Sequence, residues 1–243
     1  MSAPDPGVLI VTQARMTSTR LPGKVLRPAA GATMLEHHLS RLAASGLPVV
    51  VATTTHRTDD PIVSVAERCR VVVVRGSEDD VLGRYGLAVR EHRPHTVVRV
   101  TSDCPLIDGA VVRAGVEAYL RVGDPELYAS NTLSRTYPRG LDFEVFSAAA
   151  LLEADAAATE PAHREHVTGW LYDDPDRPKL NLPWHRDASA YRLTLDVADD
   201  LRLLRLLIEE HDALRLDAAG LVDLLDARPD LAALNAHVAQ KAG

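Results

Sequence analysis

Short apolar runs alternate with amphipathic stretches through the first half of the chain: "GVLIVTQ", "MLEHHLSRLAA", "PVVVATT", "PIVSVAERC", "VVVVRG", "DVLGRYGLAVREH" and "TVVRVTS". Unbroken Val/Ile runs bounded by turn residues read as strands buried on both faces. Their alternation with helical stretches predicts right-handed βαβ units around a mostly parallel, doubly wound sheet. Ligands of such sheets bind beyond the strand carboxyl ends, so the loops after "VLIVTQ", "VVVATT" and "VVRVTS" are the expected place for chemistry.

From about Asp124 the pattern loosens. "PRGLDFEVFS" reads as an extended segment that ends where "AAALLEADAAA" begins a helix, and "KLNLPWH" is expected to pair antiparallel with "YRLTLD". Residues 124–195 are read as an inserted region that covers the site or builds an oligomer contact, within a single domain spanning 1–243. After "LTLDVADD", "LRLLRLLIEEH" predicts an amphipathic helix, followed by two shorter helices after Asp217 and Pro229.

Composition narrows the function classes. Of 243 residues, 46% are hydrophobic and 25% charged, and no run approaches the roughly 20 apolar residues of a bilayer span. The N-terminal stretch lacks the pattern of a secretory signal, so a cytoplasmic protein is expected. The two cysteines, Cys69 and Cys104, have no metal-ligand spacing and read as reduced thiols. A formal net charge of -7 argues against a broad nucleic-acid-binding face.

Against that balance, "QARMTSTRLPGK" gathers Arg15, Arg20 and Lys24 in the loop after the first strand. Guanidinium, ammonium and exposed amide groups favour phosphate oxygens, so the loop is either a triphosphate cradle or a solvated basic loop. It is not a Walker A motif, and no glycine-rich dinucleotide fingerprint follows the strand. In "RVTSDCPLID", Asp103 sits at a strand's carboxyl end, where it either binds Mg²⁺ or caps the turn; Asp108 reads as a helix N-cap. In "LTLDVADDL", Asp196 ends a predicted strand and is either a second Mg²⁺ ligand or an N-cap. Pairing Asp103 with Asp196 across the sheet strengthens the metal reading.

Taken in order, "QARMTSTRLPGKVL", "ATTTHRTDDPI", "GSEDDVLGRY", "RVTSDCPLID", "YPRGLDFEVFS", "REHVT" and "LTLDVADDL" resemble the cytidylyltransferase family of the spore coat polysaccharide biosynthesis protein F type, related to CMP-sugar synthetases. The resemblance spans nearly all of residues 8–205. It implies a three-layer α/β sandwich of the nucleotide-diphospho-sugar transferase kind, with an inserted antiparallel β subdomain. It also implies a Mg²⁺-dependent enzyme that joins CMP from CTP to a sugar, sugar acid, phosphate or phosphonate acceptor, commonly as a homodimer. By motif, Gln13, Ala14, Arg15, Ser18, Arg20 and Lys24 fall at the nucleotide, and Asp103 and Asp196 at the metal. Arg15, Lys24, Asp103 and Asp196 form the expected catalytic set, and Thr53 and Thr54 end a strand placed near the base. Thr17 stands where the family usually has Gly.

Five residues are assigned to the acceptor: Arg139, Asp142, Glu144, Glu165 and His166. Asp142 and Glu144 are two apart in an extended segment and share a face, either toward the acceptor or as a solvated acidic edge. His163 and His166 share a helical face but lack a third zinc ligand, so His166 reads as an acceptor contact or a helix-end hydrogen bond. His37 and His38 lie on an apolar helix with no catalytic role assigned, and Trp170 and Trp184 read as packing or interface residues. Two competing functions fit parts of the pattern: a sugar-nucleotide-dependent glycosyltransferase, whose Asp-X-Asp motif is absent, and a noncatalytic nucleotide-binding protein.

Overall fold

The computed structural model describes residues 7–239. The first apolar run forms β1 (Val8–Gln13), and a small hairpin of β2 (Pro28–Ala29) and β3 (Ala32–Thr33) precedes α1 (Met34–Ala43). Thr33 caps α1 in a reciprocal box with Glu36. The alternation continues through β4 (Val49–Thr54), α2 (Asp60–Arg68), β5 (Val72–Gly76), α3 (Val81–His92), β6 (Thr96–Thr101) and α4 (Gly109–Val122). Asp108 caps α4 as expected, accepting from Ala110 N and Val111 N.

The second half supplies β7 (Tyr128–Ser130), β8 (Glu144–Ser147), α5 (Ala148–Ala157), α6 (Pro161–His166), α7 (Gly169–Asp173) and β9 (Lys179–Asn181). The chain then closes with α8 (Ala198–Glu210), α9 (Ala218–Ala227) and α10 (Pro229–Ala232). Ser147 ends β8 and caps α5, which is the extended-to-helix junction read from the sequence.

Among the described residues, seven strands join in the order β5-β4-β1-β6-β8-β7-β9; β2 and β3 form a separate antiparallel pair. The pairs β1/β4, β1/β6 and β4/β5 are parallel, whereas β8 runs antiparallel to both β6 and β7. "KLNLPWH" departs from expectation. Its first three residues form β9, which pairs parallel with β7, and "YRLTLD" contributes no strand, only a parallel bridge between Arg139 and Arg192.

Alternate residues of β1 enter opposite cores. Leu9 and Val11 pack with α3, α5 and α7, and Val8 and Ile10 with α1 and α4. Residues of α1 and α2 form a third cluster around Val51. Helices thus cover both faces of the sheet, giving the three-layer sandwich. A fourth cluster joins α8, α9 and α10 to Met34, Leu106, Leu193 and Leu195. The chain leaves β1 toward β4 and β5, then returns across it to β6, so the order reverses between β1 and β6. Gln13 and Thr101 stand opposite each other at that switch point, where open α/β sheets bind ligands.

Candidate active site

The loop leaving β1 is fixed before it reaches the basic residues. Ala14 N donates to Ala52 O at 3.1 Å, Met16 N to Asp59 Oδ1 at 2.8 Å, and Gly23 N to Met16 O at 3.0 Å. Gly23 adopts φ 65, a left-handed conformation that suits glycine, and leads into a 3-10 turn at Lys24–Leu26. Asp59 is buried and also accepts from the hydroxyls of Thr53 (3.3 Å) and Thr54 (2.5 Å). The two threonines expected near the base do not line the cleft; their hydroxyls hold Asp59, which in turn holds the loop at Met16. Thr17 does not line the cleft either, and donates to Glu78.

Lys24 extends from the end of this loop to the carboxylates. Its Nζ lies 2.8 Å from Asp103 Oδ2 and 2.8 Å from Asp196 Oδ1, so residues 79 and 172 positions away meet at one cation. Burial alone would raise the Asp103 pKa, but the adjacent ammonium outweighs it and holds the carboxyl down at about 2. Burial alone would lower that of Lys24, and the two carboxylates push it above its ordinary value. Arg20 adds a contact to Asp196 Oδ1 at 2.8 Å.

Asp196 follows an irregular segment instead of the expected strand, and it does not cap α8. The capping work falls to Asp200, which accepts from Asp196 N at 2.9 Å and Val197 N at 3.1 Å. Arg192 donates to Asp196 Oδ2 at 2.9 Å and to both oxygens of Asp200 at 2.8 and 3.0 Å. Asn235 completes this buried network, donating to Asp200 Oδ1 at 2.8 Å and Arg192 O at 3.0 Å.

Two hard oxygens converging on one cationic position suit Mg²⁺, which accepts one or two carboxylates and completes its shell with water and phosphate. Among the described residues no group of three or more His, Cys, Asp or Glu is arranged for a metal, so the protein's donors there would be Asp103 and Asp196.

These groups line one cleft of about 500 Å³. Gln13, Ala14, Arg15, Ser18, Arg20 and Lys24 reach it from the β1 side, Asp103 and Asp196 from the carboxylate cluster, and Glu165 and His166 from α6. Val167, buried and β-branched, holds φ 67 and ψ -58 immediately after His166, and Thr168 N closes back on His166 O at 2.7 Å. Such backbone strain in a branched residue is uncommon and recurs at functional sites. His163 instead pairs with Asp173 at 2.9 Å, so the two histidines do not act together. Arg164 ties α6 to Asp80, the α3 N-cap, through bonds of 2.9 and 2.5 Å.

Arg84 also lines the cleft and was not distinguished by its sequence motif. It is 2% exposed; one guanidinium nitrogen donates to the carbonyls of Ser77 and Glu78, while Nε has no partner among the described residues. Its place one turn inside α3, after the capping Asp80, is the only local signal for it.

Thr101 is shared with a smaller recess of about 210 Å³ that contains Asp142 and Glu144. Both are engaged. Asp142 takes a two-pronged contact from Arg135 at 2.5 and 3.0 Å; Glu144 pairs with Arg99 at 2.7 Å and accepts from Tyr128 and Thr168. Burial raises the Asp142 pKa despite Arg135. Arg139 lines neither space, and its backbone instead bonds Tyr191 O and Leu193 N. Trp184 stacks on Tyr137, and Trp170 lies under Arg177 while packing on the core, as expected of packing residues.

The family described as cytidylyltransferase matches residues 8–210. The chain belongs to the cytidylyltransferase family. It is accordingly a nucleotidyltransferase, with the fold expected from its sequence motifs. This cytidylyltransferase is 31% identical over 236 residues to the spore coat polysaccharide biosynthesis protein SpsF of Bacillus subtilis, covering 93% of the chain and 96% of that relative. A solved cytidylyltransferase from Leptospira borgpetersenii superposes with TM-score 0.89 at 32% identity, covering 98% of this chain and 99% of that one. A CMP:2-keto-3-deoxy-manno-octonic acid synthetase complexed with CTP shares the fold, with TM-score 0.63 at 16% identity over 83% of this chain and 98% of that one. No helix among the described residues is long and apolar enough to cross a membrane.

Proposed function

We propose that this cytidylyltransferase transfers CMP from CTP to an oxygen of a sugar, sugar acid, phosphate or phosphonate acceptor and releases pyrophosphate. The observation that carries the reading is the meeting of the Arg15/Arg20/Lys24 loop with Asp103 and Asp196 at the β1/β6 switch point. An acceptor oxygen attacks the α-phosphorus in line with the bond to the leaving group, and that P–O bond breaks as pyrophosphate departs. Arg15, Arg20 and Lys24 offset the charge of the polyphosphate, and Ser18 contributes a hydroxyl beside them. Mg²⁺ held by Asp103 and Asp196 would supply charge neutralisation and alignment of the phosphates. Glu165, His166 and the recess of Asp142 and Glu144 take the acceptor, with Arg139 supporting the segment beside them. The CTP complex of the synthetase of the same fold supports CTP as the donor.

Pyrophosphate release measured with each NTP against sugars, sugar phosphates, phosphonates and 2-keto acids tests the reading. Release that needs CTP, Mg²⁺ and one acceptor class is expected. A nucleoside diphosphate product would favour glycosyl transfer, and tight NTP binding without turnover across the whole panel would favour a binding protein. The reading includes a homodimer built through residues 124–195, where β9 is the edge strand of the sheet among the described residues; light scattering after size-exclusion chromatography checks it.

A further inference from the structure

His38 lies in the middle of α1, is fully buried and lines neither the cleft nor the recess. Both ring nitrogens are nevertheless engaged at 2.9 Å, Nδ1 with Cys104 O and Nε2 with Thr12 Oγ1. A carbonyl oxygen can only accept, so Nδ1 carries the proton; Nε2 is then bare and accepts from the Thr12 hydroxyl. Burial keeps the ring neutral, with its pKa lowered to about 4.

The two partners bracket the reaction centre. Thr12 precedes Gln13 on β1, the strand that launches the basic loop, and Cys104 directly follows Asp103. The Asp103 carbonyl is itself held by Leu195 N at 2.8 Å and Thr194 Oγ1 at 3.3 Å, on the segment that ends in Asp196. Successive carbonyls of the Asp103 turn are thus tied to the Asp196 segment and to His38. One imidazole connects β1, α1 and the turn that presents the first carboxylate.

We propose that His38 is a positioning residue for nucleotidyl transfer: its Nδ1–H tautomer holds the Cys104 carbonyl, and thereby sets the Asp103 carboxylate against that of Asp196. The inference rests on reading the two carboxylates as the Mg²⁺ ligands. A core histidine that merely fills space makes a different prediction, and two substitutions separate them. His38→Asn places an amide N–H near the position of Nδ1 and keeps the Cys104 bond, whereas His38→Gln reaches toward Thr12 and loses it. Glutamine is nearer to histidine in volume, so packing alone favours His38→Gln and positioning favours His38→Asn.

The experiment measures Mn²⁺ affinity by electron paramagnetic resonance with a non-hydrolysable CTP analogue bound, together with kcat, KM for CTP and thermal midpoint. His38→Gln is expected to lose about 10–100-fold in Mn²⁺ affinity and in kcat, the usual range for groups that orient a metal ligand, with KM for CTP within about twofold. His38→Asn is expected to keep Mn²⁺ affinity within about threefold, even where its thermal midpoint falls further. Nitrogen-15 spectra of the wild-type protein should show a neutral Nδ1–H imidazole at pH 7.5. Wild-type Mn²⁺ affinity in His38→Gln, losses that follow the thermal midpoint in both variants, or an Nε2–H tautomer would each overturn the assignment. Asp103→Asn is the control. If it binds Mn²⁺ like wild type, the metal reading fails and the His38 assignment fails with it; if it loses Mn²⁺ while His38→Gln does not, the His38 assignment fails alone.

Discussion

Lys24 has two possible sets of partners, the carboxylates it now bridges and the phosphates its loop is suited to receive. An ammonium 2.8 Å from both Asp103 and Asp196 occupies the charge position that a divalent ion would take. Lys24→Met should therefore tighten Mn²⁺ binding to the nucleotide-free protein by at least about tenfold, since a like charge within a few ångströms is removed. The same variant should turn over CTP far more slowly. Unchanged Mn²⁺ affinity in a titration without nucleotide would show that the ammonium does not compete for the site. The ion pair also sets an acid limit. Because the folded-state pKa of Asp103 is depressed to about 2, its stabilisation is complete above the unfolded carboxylate range near pH 4 and is lost as pH falls toward 2. That contribution is about 2 kcal/mol. Denaturant midpoints at pH 5 and pH 2.5 should show it in the wild type and a smaller change in Asp103→Asn. Asp103 and Lys24 were legible in the sequence because each follows a recognisable strand and has a charge suited to phosphate or metal. Asp59, Arg84 and His38 were not, since their contacts are with partners brought together only by folding.

Among the elements, the parallel half of the sheet was readable because its inner strands β1, β4 and β6 are buried on both faces and the Val/Ile runs show it. β9 was misread because a three-residue edge strand carries too little pattern to name its partner, which lies about 50 residues earlier in the chain. The segment that carries Asp196 takes its path from an approach that only glycine permits. Gly140 has φ 98, and a Cβ there would lie 2.5 Å from Leu193 C and 2.6 Å from both Leu193 O and Thr194 N. Gly140→Ala should cost about 1–3 kcal/mol from backbone conformation alone. Because the displaced backbone leads directly to Asp196, it should also raise the Mg²⁺ concentration needed for half-maximal activity. Equilibrium unfolding and a Mg²⁺ titration check the two effects, and a variant of wild-type stability would remove the steric argument.

For the molecule as a whole, the C-terminal segment does more than bury Met34, Leu106, Leu193 and Leu195. The family match ends at residue 210, yet Asn235 lies beyond it, is 2% exposed and bonds both Asp200 and the Arg192 backbone behind Asp196. Asn235→Leu should destabilise the protein by about 1–3 kcal/mol, because a buried carboxylate loses a donor. Its chemical-denaturation curve checks this, and a loss below about 0.5 kcal/mol would place Asn235 outside the network's energetics. No local motif announced that residue, since its environment is assembled from α8 and the segment before it. Charge distribution has a kinetic consequence at the same scale. The chain is net negative, and so is a nucleoside triphosphate, yet the cleft sets four cations, Arg15, Arg20, Lys24 and Arg84, against three carboxylates, Asp103, Glu165 and Asp196. If diffusional encounter followed net charge, added salt would screen repulsion and speed association. If it follows the local field of the cleft, salt slows association. Stopped-flow rates with a fluorescent CTP analogue should therefore fall as ionic strength rises, so the incoming triphosphate experiences an electropositive entrance on an otherwise acidic protein.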